Sequence, residues 1–246
     1  MARLFVGTSG WNYREWRKNF FPEDLPSRKW LSFYADRFNT VEVNYSFYHL
    51  PSETTYANWY EQTPADFVFA LKASRLITHI RRFKNVRAEW KEFAGRAAAL
   101  KQKLGPILLQ LPPSFHATAE NFRLLERFFL HAADPKSTRL AIEFRHESCF
   151  GEEMVRLLRR HRVALVISHS SRYPVPSVVA TGRFAYFRFH GPKKLFASSY
   201  SEAELHDWAT QMKKMLKRGF DVYAYFNNDV GGRAVANARS LTNCMR

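Results

Sequence analysis

Cysteine is nearly absent from this sequence. Cys149 and Cys244 are the only two in 246 residues, too few and too unpatterned for a disulfide framework or a cysteine-rich zinc site. Long apolar runs are lacking as well. None approaches the roughly 20 residues that a bilayer-spanning helix needs, and the opening Met-Ala-Arg-Leu-Phe-Val-Gly is too short an apolar stretch for a signal peptide. The expectation is a soluble, cytoplasmic protein with no membrane partner. Gly7-Thr8-Ser9-Gly10 is not followed by the Gly-Lys-Ser/Thr of a P-loop, and neither a GxGxxG fingerprint nor a GxSxG elbow occurs. No Gly-, Ser- or Pro-rich linker divides the chain, so residues 1–246 read as one domain.

Acidic residues are scarce beside basic ones: 22 Asp and Glu against 38 Lys and Arg leave a formal charge of +16. Such a balance points to an anionic partner, either a small molecule or nucleic acid. No protein partner is inferable. Much of the excess has an ordinary place. Lys213, Lys214, Lys217 and Arg218 crowd one expected helix end, where cations complement the helix dipole, and Arg156, Arg159, Arg160 and Arg162 do the same on another. The cluster Arg81, Arg82, Lys84 and Arg87 follows an expected strand and is the candidate nucleic-acid contact.

Apolar residues are plentiful, 46% hydrophobic and 16% aromatic, enough to fill a large core. They fall into eight short runs: Leu4–Trp11, Thr40–Tyr48, Phe67–Ser74, Pro106–Pro112, Arg139–His146, Ala164–His169, Phe184–Gly191 and Asp221–Asn228. Each is bounded by turn formers and rich in β-branched or aromatic residues, as buried strands are. Helical spacing lies between most of them. Trp90, Phe93, Ala97, Leu100 and Leu104 form a stripe over Val86–Leu104 that Gly105-Pro106 would stop. Phe122, Leu125, Phe128 and Phe129 do so over Ala119–Ala132 behind a Thr118 cap. Leu205, Trp208, Met212, Met215 and Leu216 do so over Glu202–Arg218, with a Ser201/Glu204 capping box and a Gly219 C-terminal cap. Weaker helical patterns cover Arg28–Arg37, Glu53–Gln62, Glu152–His161 and Gly232–Cys244. Eight strand–helix units of this size predict an α/β fold, a single (β/α)8 TIM barrel. Ser-Ser-Arg-Tyr-Pro-Val-Pro after the sixth strand predicts an irregular loop or degraded helix there.

Period-two alternation then selects candidate site residues. The outer face of a barrel strand is covered by helices and must be apolar, so polar residues at alternate positions should face inward. Val41, Val43 and Tyr45 alternate with Glu42, Asn44 and Ser46; Ile142 and Phe144 with Glu143 and Arg145; Phe187 and Phe189 with Arg188 and His190. Lys72, Gln110, the pair Ser168 and His169, and the pair Asn227 and Asn228 extend the set. Unpaired buried charges cost several kcal/mol each, so a ligand or active site explains so many better than stability does. The set is net positive, and Arg and Lys suit phosphate or carboxylate groups. Trp11, Tyr13, Trp16, Tyr48 and Phe115 border it as candidate stacking surfaces.

Three chemistries fit these residues. Glu42 and Glu143 would form a glycosidase pair if their carboxyls lie about 5–10 Å apart. Glu143, His169 and His190 are the candidate ligands of a divalent metal, a reading not favoured because no HExxH or Cys-His spacing accompanies them. In the third, metal-free reading, Glu143 or His190 moves a proton while Arg145, Arg188 and Lys72 fix an anion.

Several ordered motifs resemble a known family. They include Gly7-Thr8-Ser9-Gly10-Trp11, Phe38-Asn39-Thr40-Val41-Glu42-Val43-Asn44 with Phe47-Tyr48, Lys72 with Ile77-Thr78-His79, and Gln110-Leu111-Pro112-Pro113-Ser114-Phe115. Glu143-Phe144-Arg145-His146, Arg188-Phe189-His190-Gly191 and Phe226-Asn227-Asn228 follow in order. Together they resemble the YecE-like family, domain of unknown function 72. The resemblance implies a TIM barrel and no settled activity; that barrel is similar to metal-dependent sugar isomerases and apurinic-site endonucleases. The family pattern usually carries Ser-Trp after the Arg-His pair, whereas Ser148 here precedes Cys149 and Phe150.

The leading expectation is an enzyme that binds an anionic, phosphorylated sugar-like or nucleic-acid substrate at the barrel's C-terminal mouth and performs hydrolysis or isomerisation. Glu143 and His190 are its candidate catalytic residues. Glu42, Asn44, Lys72, Gln110, Arg145, Arg188, Asn227, Trp11 and Tyr48 are its candidate substrate contacts. The alternatives are a non-catalytic nucleic-acid or phospholigand-binding protein and a metal-free glycoside hydrolase.

Overall fold

All eight expected strands form, and all pair in parallel: β1 (Leu4–Thr8), β2 (Thr40–Val43), β3 (Val68–Lys72), β4 (Leu104–Gln110), β5 (Leu140–Glu143), β6 (Ala164–His169), β7 (Phe184–Phe189) and β8 (Asp221–Phe226). This computed structural model describes residues 1–131, 133 and 138–246. The sheet runs in the order β1-β8-β7-β6-β5-β4-β3-β2. Around it lie α1 (Trp30–Ala35), α2 (Tyr45–Tyr48), α3 (Glu53–Glu61), α4 (Arg87–Ala97), α5 (Ala119–His131), α6 (Glu152–Arg160), α7 (Glu202–Lys217) and α8 (Arg233–Met245). The fold is a single (β/α)8 TIM barrel. As expected, no helix intervenes between β6 and β7, where Ser170 Oγ instead accepts from the Arg172 and Tyr173 amides. Ala132, the last residue of one expected helix, lies outside the described residues.

β1 and β2 close the barrel through side chains. Asn39 Nδ2 donates to Leu4 O at 2.8 Å, and its Oδ1 accepts from the Val6 amide at 3.3 Å. The Tyr34 hydroxyl accepts from the Thr8 amide at 2.9 Å and donates to Thr40 O at 3.1 Å. Backbone contact at this seam is so close that a Cβ on Gly7 would lie 2.2 Å from Thr40 O. Buried backbone groups need partners, and these two residues supply them where no ladder does.

The inward faces carry Phe5, Val68, Ala70, Leu108, Ala141, Ala164, Val166, Phe184, Tyr186, Tyr223 and Tyr225 as a core of their own. Phe5 stacks on Tyr223 with centroids 4.6 Å apart. Buried tyrosines need partners for their hydroxyls; Tyr225 pairs with Thr40 Oγ1 at 2.7 Å and Tyr186 donates to Glu42 Oε2 at 2.7 Å. One inward step further along the strands come Glu42, Lys72, Gln110, Glu143, Ser168 and Arg188, all at the C-terminal ends. The polar set is thus the top tier of an otherwise apolar interior.

Three expectations change in detail. β2 stops at Val43, and α2 replaces the rest of the expected strand, because Ser46 Oγ turns back to Val43 O and Lys72 O. The alternation therefore fails past Asn44, and Tyr45 is solvent-exposed. The long helical stripe from Val86 breaks at Lys101, whose φ is 49°. Gly105-Pro106 lies inside β4, where the register against β3 shifts between Phe69 and Leu71. Such an irregularity is where a strand tolerates proline. The capping box forms as expected, with Ser201 Oγ accepting from the Glu204 amide.

Candidate functional site

Arg188, near the end of β7, holds the top tier together. Its Nε donates to Glu42 Oε2 at 2.9 Å and its Nη2 to Glu42 Oε1 at 2.7 Å, a bidentate pair. Its Nη1 donates to Glu143 Oε2 at 2.5 Å. Ser9 Oγ and the Tyr186 hydroxyl each donate to Glu42 at 2.7 Å. Arg145 Nε donates to Glu143 Oε1 at 3.0 Å. Glu42, Glu143 and Arg188 are almost wholly buried. Burial alone would raise the carboxyls, but the Arg188 guanidinium, joined at Glu143 by Arg145, holds both below the usual carboxylate range. Both carboxylates stay ionised.

His190 sits beside this network, fully buried, with Nε2 3.6 Å from Glu143 Oε1. Asn227 Nδ2 lies 3.1 Å from its Nδ1, and Arg188 Nη1 lies 3.3 Å from its Nε2. Burial, then Arg188, lowers His190 to about 4, so it is neutral near pH 7.

A second group is only partly buried: Asn44, Lys72, Arg145 and Asn227. Lys72 Nζ lies 4.0 Å from the Phe47 ring centroid and, among the described residues, makes no hydrogen bond or ion pair. Burial first, and then Arg188, push its ammonium down to about 7. The Arg145 guanidinium lies over the Tyr173 ring at 4.4 Å. Among the described residues Asn44 Oδ1 has no partner. His79, edge-on to Phe47 at 4.9 Å, is lowered to about 4 by burial and by Lys72. Two carboxylates facing Lys72, Arg145 and Arg188 leave this end of the barrel net positive when Lys72 is protonated.

Other candidates are placed differently. His169 faces outward, with Nδ1 3.0 Å from the Tyr200 hydroxyl and its ring 5.4 Å from Trp208. It does not join Glu143 and His190, and among the described residues no group of three His, Cys, Asp or Glu side chains is arranged to hold a metal. Gln110 is buried and donates to Leu111 O at 2.6 Å. Trp11 packs edge-on against Trp59 at 5.2 Å, while Tyr48 is 63% exposed at the rim. Glu42 and Glu143, the candidate glycosidase pair, are bridged by the Arg188 guanidinium, which donates to both carboxylates. The basic loop is largely engaged, with Arg81 on Glu89, Lys84 on Glu120, and Arg82 donating to Ser114. A cleft of about 340 Å³ lies at the opposite end of the barrel, lined by Arg3, Asp66, Gln102 and Arg139, away from this chemistry.

Sequence reasoning missed Tyr186, Ser9 and Asp229. Tyr186 lies two residues before Arg188 on the same strand face, so alternation alone would have found it. Asp229 is pushed up to about 7 by burial, and its Oδ2 lies 3.2 Å from the Tyr13 hydroxyl; its loop position gives no periodic signal. Cys149, at the place of the resemblance's missing Trp, is buried with Sγ 3.4 Å from Phe115 O.

Residues 5–246 match the family model described as "Protein of unknown function DUF72". UPF0759 protein YunF of Bacillus subtilis is 26% identical across 97% of this chain and 93% of its own length. UPF0759 protein YecE of Escherichia coli is 30% identical, over 46% of this chain and 39% of that relative. The crystal structure of a DUF72 family protein from Thermotoga maritima superposes with a TM-score of 0.89 at 29% identity, covering 98% of both chains. Family match, relatives and barrel agree: this chain belongs to the DUF72 family.

Proposed function

We propose that this chain is an enzyme that binds a small anionic, sugar-like substrate at the C-terminal mouth of its barrel and performs isomerase-type proton transfer there. One observation carries the reading. The deep cation, Arg188, is already matched by two carboxylates, whereas Lys72 and Arg145 above it are partly exposed and, among the described residues, retain N–H groups without a partner. Arg145 commits Nε to Glu143 and so presents its remaining nitrogens in a fixed direction, the arrangement suited to phosphate or carboxylate.

The proton chemistry falls on groups that titrate near neutrality. Lys72, lowered to about 7, can exchange a proton with substrate at physiological pH. Glu143 is held ionised and buried, so its role is to orient Arg145 and His190. This disfavours Glu143 as the acid of a hydrolysis. Binding of nucleic acid through the basic loop is the weaker reading, because Arg81 and Lys84 already face carboxylates.

Calorimetry and thermal shift with inorganic phosphate and hexose phosphates test the proposal. The expected result is stabilisation of the wild type that Arg145→Ala reduces at least about tenfold in affinity, as for loss of a charge-assisted pair. If none of these anions binds the wild type, the reading is wrong.

A further inference from the structure

We infer that Lys72 is a covalent nucleophile: its ε-amine condenses with an aldehyde or ketone carbonyl of the bound anion, making the substrates small oxo acids or carbonyl-bearing sugar phosphates. The inference rests on the anion-binding reading above and names its substrate class.

A comparison within the molecule carries it. Lys103 is a more deeply buried lysine, and its ammonium is fully met: Nζ donates to Tyr60 O at 2.5 Å, Thr63 O at 2.7 Å and Thr63 Oγ1 at 3.1 Å. Those acceptors make a site for a charged lysine. Lys72 has nothing equivalent among the described residues. Its Nζ lies 4.0 Å from the Phe47 ring centroid, and the charges that act on it are Arg188 and Arg145, which oppose the ammonium, and Glu143 and Glu42, which favour it. A ring face does attract an ammonium, but it accepts poorly beside a carbonyl, and Glu42 and Glu143, already engaged by Arg188 and Arg145, do not offset the burial that disfavours a further cation. A desolvated lysine beside other cations is the usual way to obtain a free amine near neutral pH.

The position fits the chemistry. Lys72 ends β3 on the same strand face as Val68 and Ala70, so its amine enters the barrel mouth and not the helix layer. Arg145 is available for the anionic end of the ligand, and Asn44 Oδ1, which has no partner among the described residues, can accept from a substrate hydroxyl. The step balances without a redox partner. The amine lone pair attacks the carbonyl carbon, the C=O pair moves to oxygen, and a proton passes from nitrogen to oxygen to give a carbinolamine. Its hydroxyl then leaves as water with the second N–H proton, and C=N forms. Once its nitrogen takes a proton from solvent, the resulting iminium draws electrons from the adjacent carbon, which makes removal of a proton there feasible near neutral pH.

The full-length protein is incubated with dihydroxyacetone phosphate or pyruvate and sodium cyanoborohydride, then examined by intact mass and peptide mapping. The expected product is a single reduced adduct on Lys72, forming at least about tenfold faster than on the exposed Lys91 and Lys214. Inorganic phosphate should compete with it, and Lys72→Arg and Lys72→Met should lack it while retaining a cooperative thermal transition. A wild type that inorganic phosphate stabilises, yet labels no faster at Lys72 than at Lys91, overturns the imine and leaves anion binding intact. Absence of stabilisation by inorganic phosphate and by every hexose phosphate overturns the underlying reading itself. Because competition and site selectivity are read in the wild type, a variant that misfolds does not decide the matter.

Discussion

Replacing Arg188 by Met would leave Glu42 and Glu143 facing each other inside the barrel with no cation between them. Removing one partner from a buried ionic network costs about 3–5 kcal/mol. Urea denaturation should show that loss, and Arg188→Met combined with Glu42→Gln and Glu143→Gln should recover much of it. Lys72 gives a pH signature of known sign. Its folded pKa is about 7 against an ordinary 10.5, so between those values the unfolded chain binds more protons. Stability therefore rises with pH through that window, by at most about 1.4 kcal/mol per unit, and the penalty is full below pH 7. Lys72→Met should be more stable than wild type near pH 7, with the advantage shrinking towards pH 9, as measured by denaturation across that range. Glu42, Lys72, Glu143 and Arg188 were legible from alternation, because inward polar residues interrupt an apolar pattern. Their roles were not legible, since alternation gives the face of a strand and not the depth of a side chain or the charge beside it. Glu143 reads as an acid/base candidate in the sequence, and only the structure shows that Arg188 and Arg145 both donate to it.

At the scale of elements, the barrel depends on one seam made by side chains. Tyr34→Phe would leave the Thr8 amide and the Thr40 carbonyl without their shared partner, a loss of about 1–3 kcal/mol. The ring would still pack among Phe20, Phe38 and Phe67. Chemical denaturation should report the loss, and hydrogen exchange should localise it, with faster exchange at Thr8 and neighbouring β1 amides than in β6 or β7. The eight strands were legible because each must be apolar on its helix-covered face. The end of β2 was not. Tyr45 and Ser46 continue the expected alternation, yet the Ser46 hydroxyl offers the backbone a turn that competes with the strand. The break at Lys101 was hidden for a related reason: Leu100 and Leu104 keep helical spacing although the chain between them leaves the helix. Seam residues such as Tyr34 and Asn39 were also silent, because their partners lie on a strand that periodicity cannot pair.

The charge of the whole molecule separates two kinds of anion binding. A formal +16 will attract any polyanion through its exposed lysines and arginines. Such attraction comes from counterion release and falls steeply with salt, by about 10³–10⁵ between 50 and 200 mM when six to ten phosphates are contacted. A single small anion held between Lys72 and Arg145 would contact few charges, within a mouth where screening is weaker than on the open surface. Its affinity should fall by no more than about tenfold over that range. Fluorescence anisotropy with a labelled single-stranded oligonucleotide and calorimetry with inorganic phosphate, each run at both salt concentrations, distinguish the two. Arg145→Ala should abolish the phosphate signal and leave oligonucleotide binding within about twofold, because one charge in so large an excess matters little to a diffuse field. If phosphate binding showed the steep salt dependence and ignored Arg145, the ligand would be reading the surface charge, and the barrel mouth would have no special claim on it.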